Sequence, residues 1–253
     1  MLRRIHDYHP VIALYVHSVK EWAKAKEVIA PEKMSFNSFT MTTMALMVLQ
    51  ELGVLPVFVN QSGDFGELTV SDVEAALKAH PMPQVYRDLK PDDDATMGEA
   101  VFFLLERFAL YYRHFDFATG SVSLMMPRRL RTQYKEVAQE YLRGMAATRR
   151  LKWEQYHDAH LKEAGPFDEN AFSAAMQSEE SQRSSTSFFV VEDIANFVNC
   201  GRRVHPPRGK VLVEEFGKMH AQLTSDSFDK ASELFVKTTR FPRAFVKSRL
   251  DKR

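Results

Sequence analysis

Residues 35–56 read SFNSFTMTTMALMVLQELGVLP. Ser35 or Asn37 is placed to start a helix, which runs to Leu52. Gly53 stands where a left-handed residue closes a helix, and Pro56 follows where the helix cannot continue. Phe36, Phe39, Met41, Met44, Leu46 and Leu49 distribute apolar side chains almost all round this helix. A helix with no polar face belongs inside a fold, so this one is expected to be central and buried. Ser38, Thr40, Thr42 and Thr43 make its N-terminal end polar while the rest is greasy.

Helices are expected on both sides of it. Upstream, Ile12, Tyr15, Val16, Val19, Trp22 and Ala23 recur at helical spacing, with Asp7 as the expected cap and Pro10 in the first turn. His17, Lys20 and Lys24 share a different face of that helix, and Pro31 ends it. Downstream, 60–70 is turn-rich, Val70 to His80 reads as a short helix, and Pro81, Pro83 and Pro91 mark loops. Asp92, Asp93 and Asp94 precede a long helix over Thr96–His114, where negative charge suits the helix dipole. Phe115, Phe117, Val122 and Leu124 alternate around Gly120 as a short strand or hairpin.

Pro127 opens a basic helical segment to about Lys162. Arg128, Arg129, Arg131, Lys135, Arg143, Arg149, Arg150 and Lys152 are opposed there only by Glu136 and Glu140, with Tyr134, Tyr141, Trp153 and Tyr156 interleaved. Gly165-Pro166 breaks it. The Ser/Glu/Gln-rich stretch Gln177–Ser187 reads as a disordered linker. Phe188–Val191 resumes as an apolar strand before Glu192-Asp193, and helices over Lys210–Thr224 and Asp226–Lys237 close the chain.

With 253 residues, 45% hydrophobic and 26% charged, the chain has ordinary globular composition and enough length for a substantial core. Thirty-four Lys+Arg against 33 Asp+Glu give a net charge of +1, so a nucleic-acid surface has to be local. One cysteine, Cys200, excludes an intramolecular disulfide and a cysteine-rich zinc site, and suits a reducing compartment. No membrane partner is expected, because the best apolar window, Met41–Val59, is interrupted by Gln50, Glu51 and Gly53 and falls short of the roughly 20 apolar residues a bilayer needs. The opening MLRRIHDYHP has no apolar signal core and reads as starting inside a fold.

Little in the sequence spells out chemistry. His6/His9 and His157/His160 are each spaced by three, yet neither pair has a third ligand nearby. There is no phosphate-binding glycine loop of Walker type and no nucleophile-elbow motif. Arg202 and Arg203 lie beside Cys200, after Gly201, and are placed to lower its pKa, although a structural thiol is the better reading. Lys20 and Lys24 stand one turn apart, a spacing that reaches neighbouring phosphates but also suits an ordinary solvated face. The amides and Ser38 hydroxyl at the start of the buried helix suit an anion or ribose, and Phe39 offers a stacking face.

Taken in order, these segments resemble the noncanonical poly(A) polymerase and terminal uridylyltransferase family of DNA polymerase β-like nucleotidyltransferases. Val16–Lys24 resembles the family's V-K-x-W-A-K helix. Ser35–Leu49 resembles its L-S-S-Y helix, and Val54-Leu55-Pro56 its V-L-P loop. Phe102-Phe103 through Phe115-Asp116-Phe117 is similar to its F-F-x-x-Y…F-D-W segment. Val191-Glu192-Asp193 through Asn199-Cys200-Gly201-Arg202 resembles the E-D-P-F…N-x-G-R motif of the poly(A) polymerase-associated domain. The likeness spans nearly the whole chain except about 127–187.

The resemblance implies a mainly α fold with a few short strands (α+β), the helical nucleotide-recognition domain of a terminal RNA nucleotidyltransferase without the catalytic mixed-sheet domain. It divides the chain into 1–126 and 188–253, two parts of the central and poly(A) polymerase-associated domain, separated by a basic helical insertion and linker over 127–187. Lys20 and Lys24 would meet the triphosphate, Ser38 and Phe39 the sugar-phosphate and base, and Glu192, Asp193, Asn196 and Asn199 the base edge. Arg128, Arg129, Arg149, Arg150 and Trp153 of the insertion would contact RNA through charge and stacking. The complete enzyme would use Mg²⁺ and UTP or ATP, with RNA and a nucleoside triphosphate as partners and a protein partner or N-terminal catalytic domain alongside, in the cytoplasm or mitochondria.

The pattern departs from the family at two places. Ile194-Ala195 stand for the Pro-Phe after E-D, and Asn199 is the residue nearest to the uracil-selective histidine of some members, so UTP and ATP both stay open. The Gly-Ser…Asp-x-Asp that holds the metals in the family has no counterpart here: Gly120-Ser121 precedes a basic segment, and Asp92-Asp93-Asp94 reads as a helix start. The chain is thus expected to be either part of a longer enzyme, or a non-catalytic relative that binds RNA or a protein in an RNA-processing complex. A helical interaction module of another kind ranks third.

Overall fold

The computed structural model describes residues 1–59, 68–125, 131–160, 169–182, 187–193 and 198–225. Over these the chain is mostly helical: α1 Leu2–His6, α2 Pro10–Ala25, α3 Ser38–Glu51, α4 Val70–Ala79, α5 Gln84–Arg87, α6 Asp94–His114, α7 Arg131–His160, α8 Glu169–Gln182 and α9 Pro206–Leu223, with a single 3₁₀ turn at Pro31–Lys33.

The expected central helix is α3, and every residue from Thr40 to Gln50 is buried. Asn37 caps it by accepting from Thr40 N at 2.8 Å, and Gly53 after its end has φ +68°. The φ is the reason a glycine stands there, since a side chain is strained in that region. Two helices pack on α3, namely α2 and α6, which also pack on each other, and α9 packs extensively on α6. Trp22 of α2, Phe108 and Tyr112 of α6, and Phe216 of α9 form one aromatic cluster, with Phe216 5.7 Å from both Trp22 and Phe108 and 5.4 Å from Tyr112, centre to centre. Two buried phenols find partners on α3: Tyr15 donates to the Ala45 carbonyl at 3.3 Å and Tyr112 to the Met44 carbonyl at 2.9 Å. These phenols stay neutral because burial raises their pKa well above the ordinary value.

Several boundaries differ from the sequence expectation. Asp7 closes α1, and His9 caps α2 through Nδ1, which accepts from Val11 N at 3.2 Å. Pro10 has no amide, so the first donor that a cap can serve is Val11's, and residue 9 is the one in reach. Thr69 and Asp72 form a reciprocal capping box at α4, and Asp93 caps α6. The four-residue α5 fills a stretch expected to be loop. α9 starts a turn before Lys210, because Pro206 and Pro207 occupy first-turn positions whose amides go unused in any helix. Residues 177–182, expected in a disordered linker, belong to α8, which packs on α7, with Arg150 paired to Glu169. The expected turns at 60–67 and the helix at Asp226–Lys237 lie outside the described residues.

Strand content is the largest difference. The expected hairpin around Gly120 and the strand at Phe188–Val191 are represented by isolated bridges, Val122 with Val191 and Glu192 with Asn199. Val122 N donates to Val190 O and Glu192 N to Val122 O, both at 2.9 Å. The next groups along find other partners: Leu124 O accepts from Phe58 N and from the Gln50 side chain. Alternation in the sequence reported two buried extended segments correctly, but a strand also needs a neighbour of matching length.

Candidate nucleotide-recognition site

The α3 N-terminus is built against the loop that follows Val191. Thr40 Oγ1 stands 3.3 Å from Cys200 O, across 160 residues of sequence, and 3.0 Å from Asn37 Oδ1, so its one proton is shared between the two acceptors. Just before α3, Phe36 packs edge-on against Phe189 at 4.7 Å, and Phe189 meets Phe117 at 4.5 Å. Aromatic packing thus brings the start of α3, the turn after α6 and the 187–201 segment to one place.

Within that junction the expected site residues fare differently. Ser38 and Phe39 are half-buried. Thr42 and Thr43 return their hydroxyls to the Ser38 and Phe39 carbonyls at 2.9 and 3.2 Å, so neither offers a donor to a ligand. Ser38 Oγ bonds to nothing among the described residues. Glu192 is fully buried, and Asp193 is half-buried with its amide on Val198 O at 2.9 Å. Asn196 lies outside the described residues.

Asn199 has a different position from a base reader. It is completely buried, and its Oδ1 accepts from Val191 N at 3.1 Å and Gly201 N at 2.9 Å while Nδ2 donates to Phe189 O at 3.1 Å. A Cβ on Gly201 would stand 2.8 Å from Phe189 O, closer than real contacts allow, so that position has to be glycine. Arg202 Nη1 then donates to Asn199 O at 3.0 Å. The Asn-Cys-Gly-Arg run is a buckle: an amide staples two chain segments, a glycine lets them touch, and an arginine closes the turn. Nothing in the local sequence announced this, because the partners are backbone groups up to ten residues away.

Cys200 is a structural thiol. Burial, reinforced by Asp193, pushes its pKa up to about 12, against the smaller opposing pull of Arg202. The two arginines beside it in sequence do not activate it. Among the described residues no three His, Cys, Asp or Glu side chains stand together as a metal site.

The lysines sit on α2. Lys24 Nζ pairs with Glu21 Oε1 at 2.8 Å, on a side chain half exposed. Lys20 is half-buried and close enough to His6 that its charge adds to burial in lowering that imidazole's pKa. No hydrogen bond joins either lysine to the α3 N-terminus or to the 192–199 loop among the described residues. Arg149 and Trp153 fall within α7, Arg150 is exposed and paired to Glu169, and Arg128 and Arg129 lie outside the described residues.

Sequence reasoning missed Thr40 as the tie to the second half of the chain. It also missed an open cleft of about 550 Å³ at the far end of α3, lined by Val48, Glu51, Arg107, Tyr111, Phe115 and Asp116 among others. Fourteen helical residues put that cleft about 20 Å from Ser38, so the two features are distinct.

No family model matches the chain. Among solved structures, one described as the structural basis for the activity of a cytoplasmic RNA terminal U-transferase is similar in fold, with a TM-score of 0.54 at 16% identity. The alignment takes in 94% of this chain and 61% of that one. The likeness is one of fold, to a terminal U-transferase, and this chain spans about three fifths of that chain's length. No helix among the described residues is long and apolar enough to cross a membrane.

Proposed function

We propose that the chain is the C-terminal, nucleotide-recognising part of a template-independent RNA 3′-terminal nucleotidyltransferase that adds uridylate or adenylate. The observation that carries this is the fold likeness to a terminal U-transferase over 94% of the chain, on a sequence whose motifs run in the family's order. The Thr40–Cys200 tie adds to it, because it joins two segments proposed to hold the same nucleotide. In this reading Ser38 and Phe39 meet ribose and base, Lys20 and Lys24 the phosphates, and Asp193 and Asn196 the base edge. Glu192 and Asn199, both buried, shape the loop that presents them. Arg149, Arg150 and Trp153 of α7, with Arg128 and Arg129, contact RNA. The metals and their carboxylates belong to the catalytic domain of a longer enzyme, in the cytoplasm or mitochondria.

A second reading, a non-catalytic RNA- or protein-binding relative, is favoured by the sequence itself, which has no Gly-Ser…Asp-x-Asp. Thermal unfolding with each of the four nucleoside triphosphates tests the shared part of both readings. A ligand that binds only the folded state at 100 times its Kd stabilises by about 2.7 kcal/mol. UTP or ATP should protect, and Lys20→Ala with Lys24→Ala should remove the protection without lowering the unliganded Tm. Equal behaviour of all four nucleotides with the double variant would overturn the assignment.

A further inference from the structure

The net charge of +1 requires any polyanion surface to be local, and the sequence holds a concentrated run of basic residues outside α7. Between Gly201 and Val213 lie Arg202, Arg203, His205, Arg208 and Lys210 and no carboxylate. Arg203, His205 and Lys210 are exposed, and among the described residues none of the three pairs with an acid.

Two of the three arginines, Arg202 and Arg208, are held. Arg208, in the first turn of α9, donates from Nη2 to the Glu27 carbonyl at 2.6 Å, and Glu27 is a left-handed residue (φ 56°) one turn past Lys24. This clamp sets the start of α9 against the exit of α2. Arg202 is tied to Asn199 O at the other edge. A guanidinium anchored through one nitrogen keeps its fork oriented, so less freedom is lost when its remaining donors meet a phosphate.

An aromatic ring sits on the backbone between two of these basic residues. A Cβ on Gly209 would meet the Phe188 ring at 2.2 Å, so the half-buried ring lies directly on the α9 backbone between Arg208 and Lys210. Cations that track phosphates around a ring that can stack a base are the two parts of a single-strand binding surface. The run is tied to Asn199 on one side and to the residue that follows α2 by two on the other.

We infer that Arg203, His205, Arg208 and Lys210, with the Phe188 ring on the α9 backbone between the last two, form a binding surface for single-stranded RNA. It rests on the proposed function only for naming the strand as the one whose 3′ end is extended; the surface itself stands on the charge, the clamp and the ring.

The test is fluorescence anisotropy of the full chain with a labelled single-stranded RNA of 15 nucleotides over a salt series, without nucleoside triphosphate. Arg203→Glu with Lys210→Glu should weaken binding about tenfold or more near 50 mM salt, and flatten the log K against log salt slope by about 0.7 for each phosphate that is no longer neutralised. Phe188→Leu, which keeps the apolar packing, should weaken binding about fivefold or more with the slope unchanged, as loss of one stacked base does. Arg208→Ala serves as a third variant, read beside its unfolding curve. Unchanged RNA affinity in the Arg203/Lys210 variant overturns the inference. So does affinity that follows Arg149→Glu with Arg150→Glu alone, or equal binding to inorganic polyphosphate. Loss of triphosphate protection in Lys20→Ala/Lys24→Ala with RNA binding intact supports a separate surface here, whereas failure of the nucleotide reading shows in the thermal assay alone.

Discussion

Replacing Asn199 by alanine separates the two roles this residue can have. The structure gives the amide three buried partners, Val191 N, Gly201 N and Phe189 O, at 2.9–3.1 Å. Alanine strands all three. A buried backbone group left without a partner costs about 1–3 kcal/mol, and a carbonyl with a second lone pair suffers least. Partial entry of water reduces the sum, so the expected loss is about 3 kcal/mol. For a chain of this size that corresponds to a Tm lower by about 6–12 °C. The assay is urea unfolding followed by both far-UV circular dichroism and tryptophan fluorescence, with equal m-values required before the midpoints are compared. Nucleotide protection is then measured on the variant below its new Tm, and the UTP:ATP ratio should match that of the parent. A variant within about 0.5 kcal/mol of the parent, but with a changed nucleotide preference, would refute the staple and restore Asn199 as a base reader. Gly201→Ala is the companion, because its Cβ meets the Phe189 backbone, which cannot move aside as a side chain tip does.

Three further outcomes follow from the packing and charge. Cys200, with its pKa pushed up to about 12, should react with iodoacetamide at pH 8 far more slowly in the native protein than in urea; native labelling at the rate of a free thiol would contradict its burial. Phe216→Ala removes the ring shared by α2, α6 and α9 and should cost about 3–5 kcal/mol, read as a shifted urea midpoint and a weakened near-UV signal; a loss under about 1 kcal/mol would mean that α9 is not part of the core. Burial holds the His6 and His9 imidazoles below their usual pKa, so the folded state takes up these protons less readily than the unfolded chain. Their contribution is complete above about pH 6.5 and is lost as pH falls toward the lowered values, so His9→Asn, which retains a capping acceptor, should flatten the acid side of the stability profile.

Helix positions were legible because the signals are local. The apolar circumference of α3, the Asn37 cap, Gly53, and the acidic lead-in to α6 all act within a turn of the residues they organise. Errors arose where two local signals compete or where a partner is distant. Asp7 has the better capping chemistry, yet His9 has the better place beside Pro10. The composition of 177–182 suggests disorder, but its Gln and Glu also suit a helix, and α7 supplies a surface on which to form one. The alternation at 115–124 and 188–191 identified inward-facing residues, whereas sheet formation depends on a second strand that sequence pattern cannot supply.

The candidate site divides in the same way. Sequence alone determined which residues carry charge, rings and hydroxyls, their family-like order, and the burial of α3, since periodicity and residue chemistry are properties of a short stretch. Only the tertiary structure decided how each of them is buried and bonded. It turned Asn199 into a staple, Cys200 into an inert thiol, and Thr42 and Thr43 into partners of their own helix. It also set Phe188 on the α9 backbone between Arg208 and Lys210, and Arg208 against Glu27. Hydrogen bonding and desolvation act through space, and the groups that settle these roles stand as far as 181 residues away along the chain.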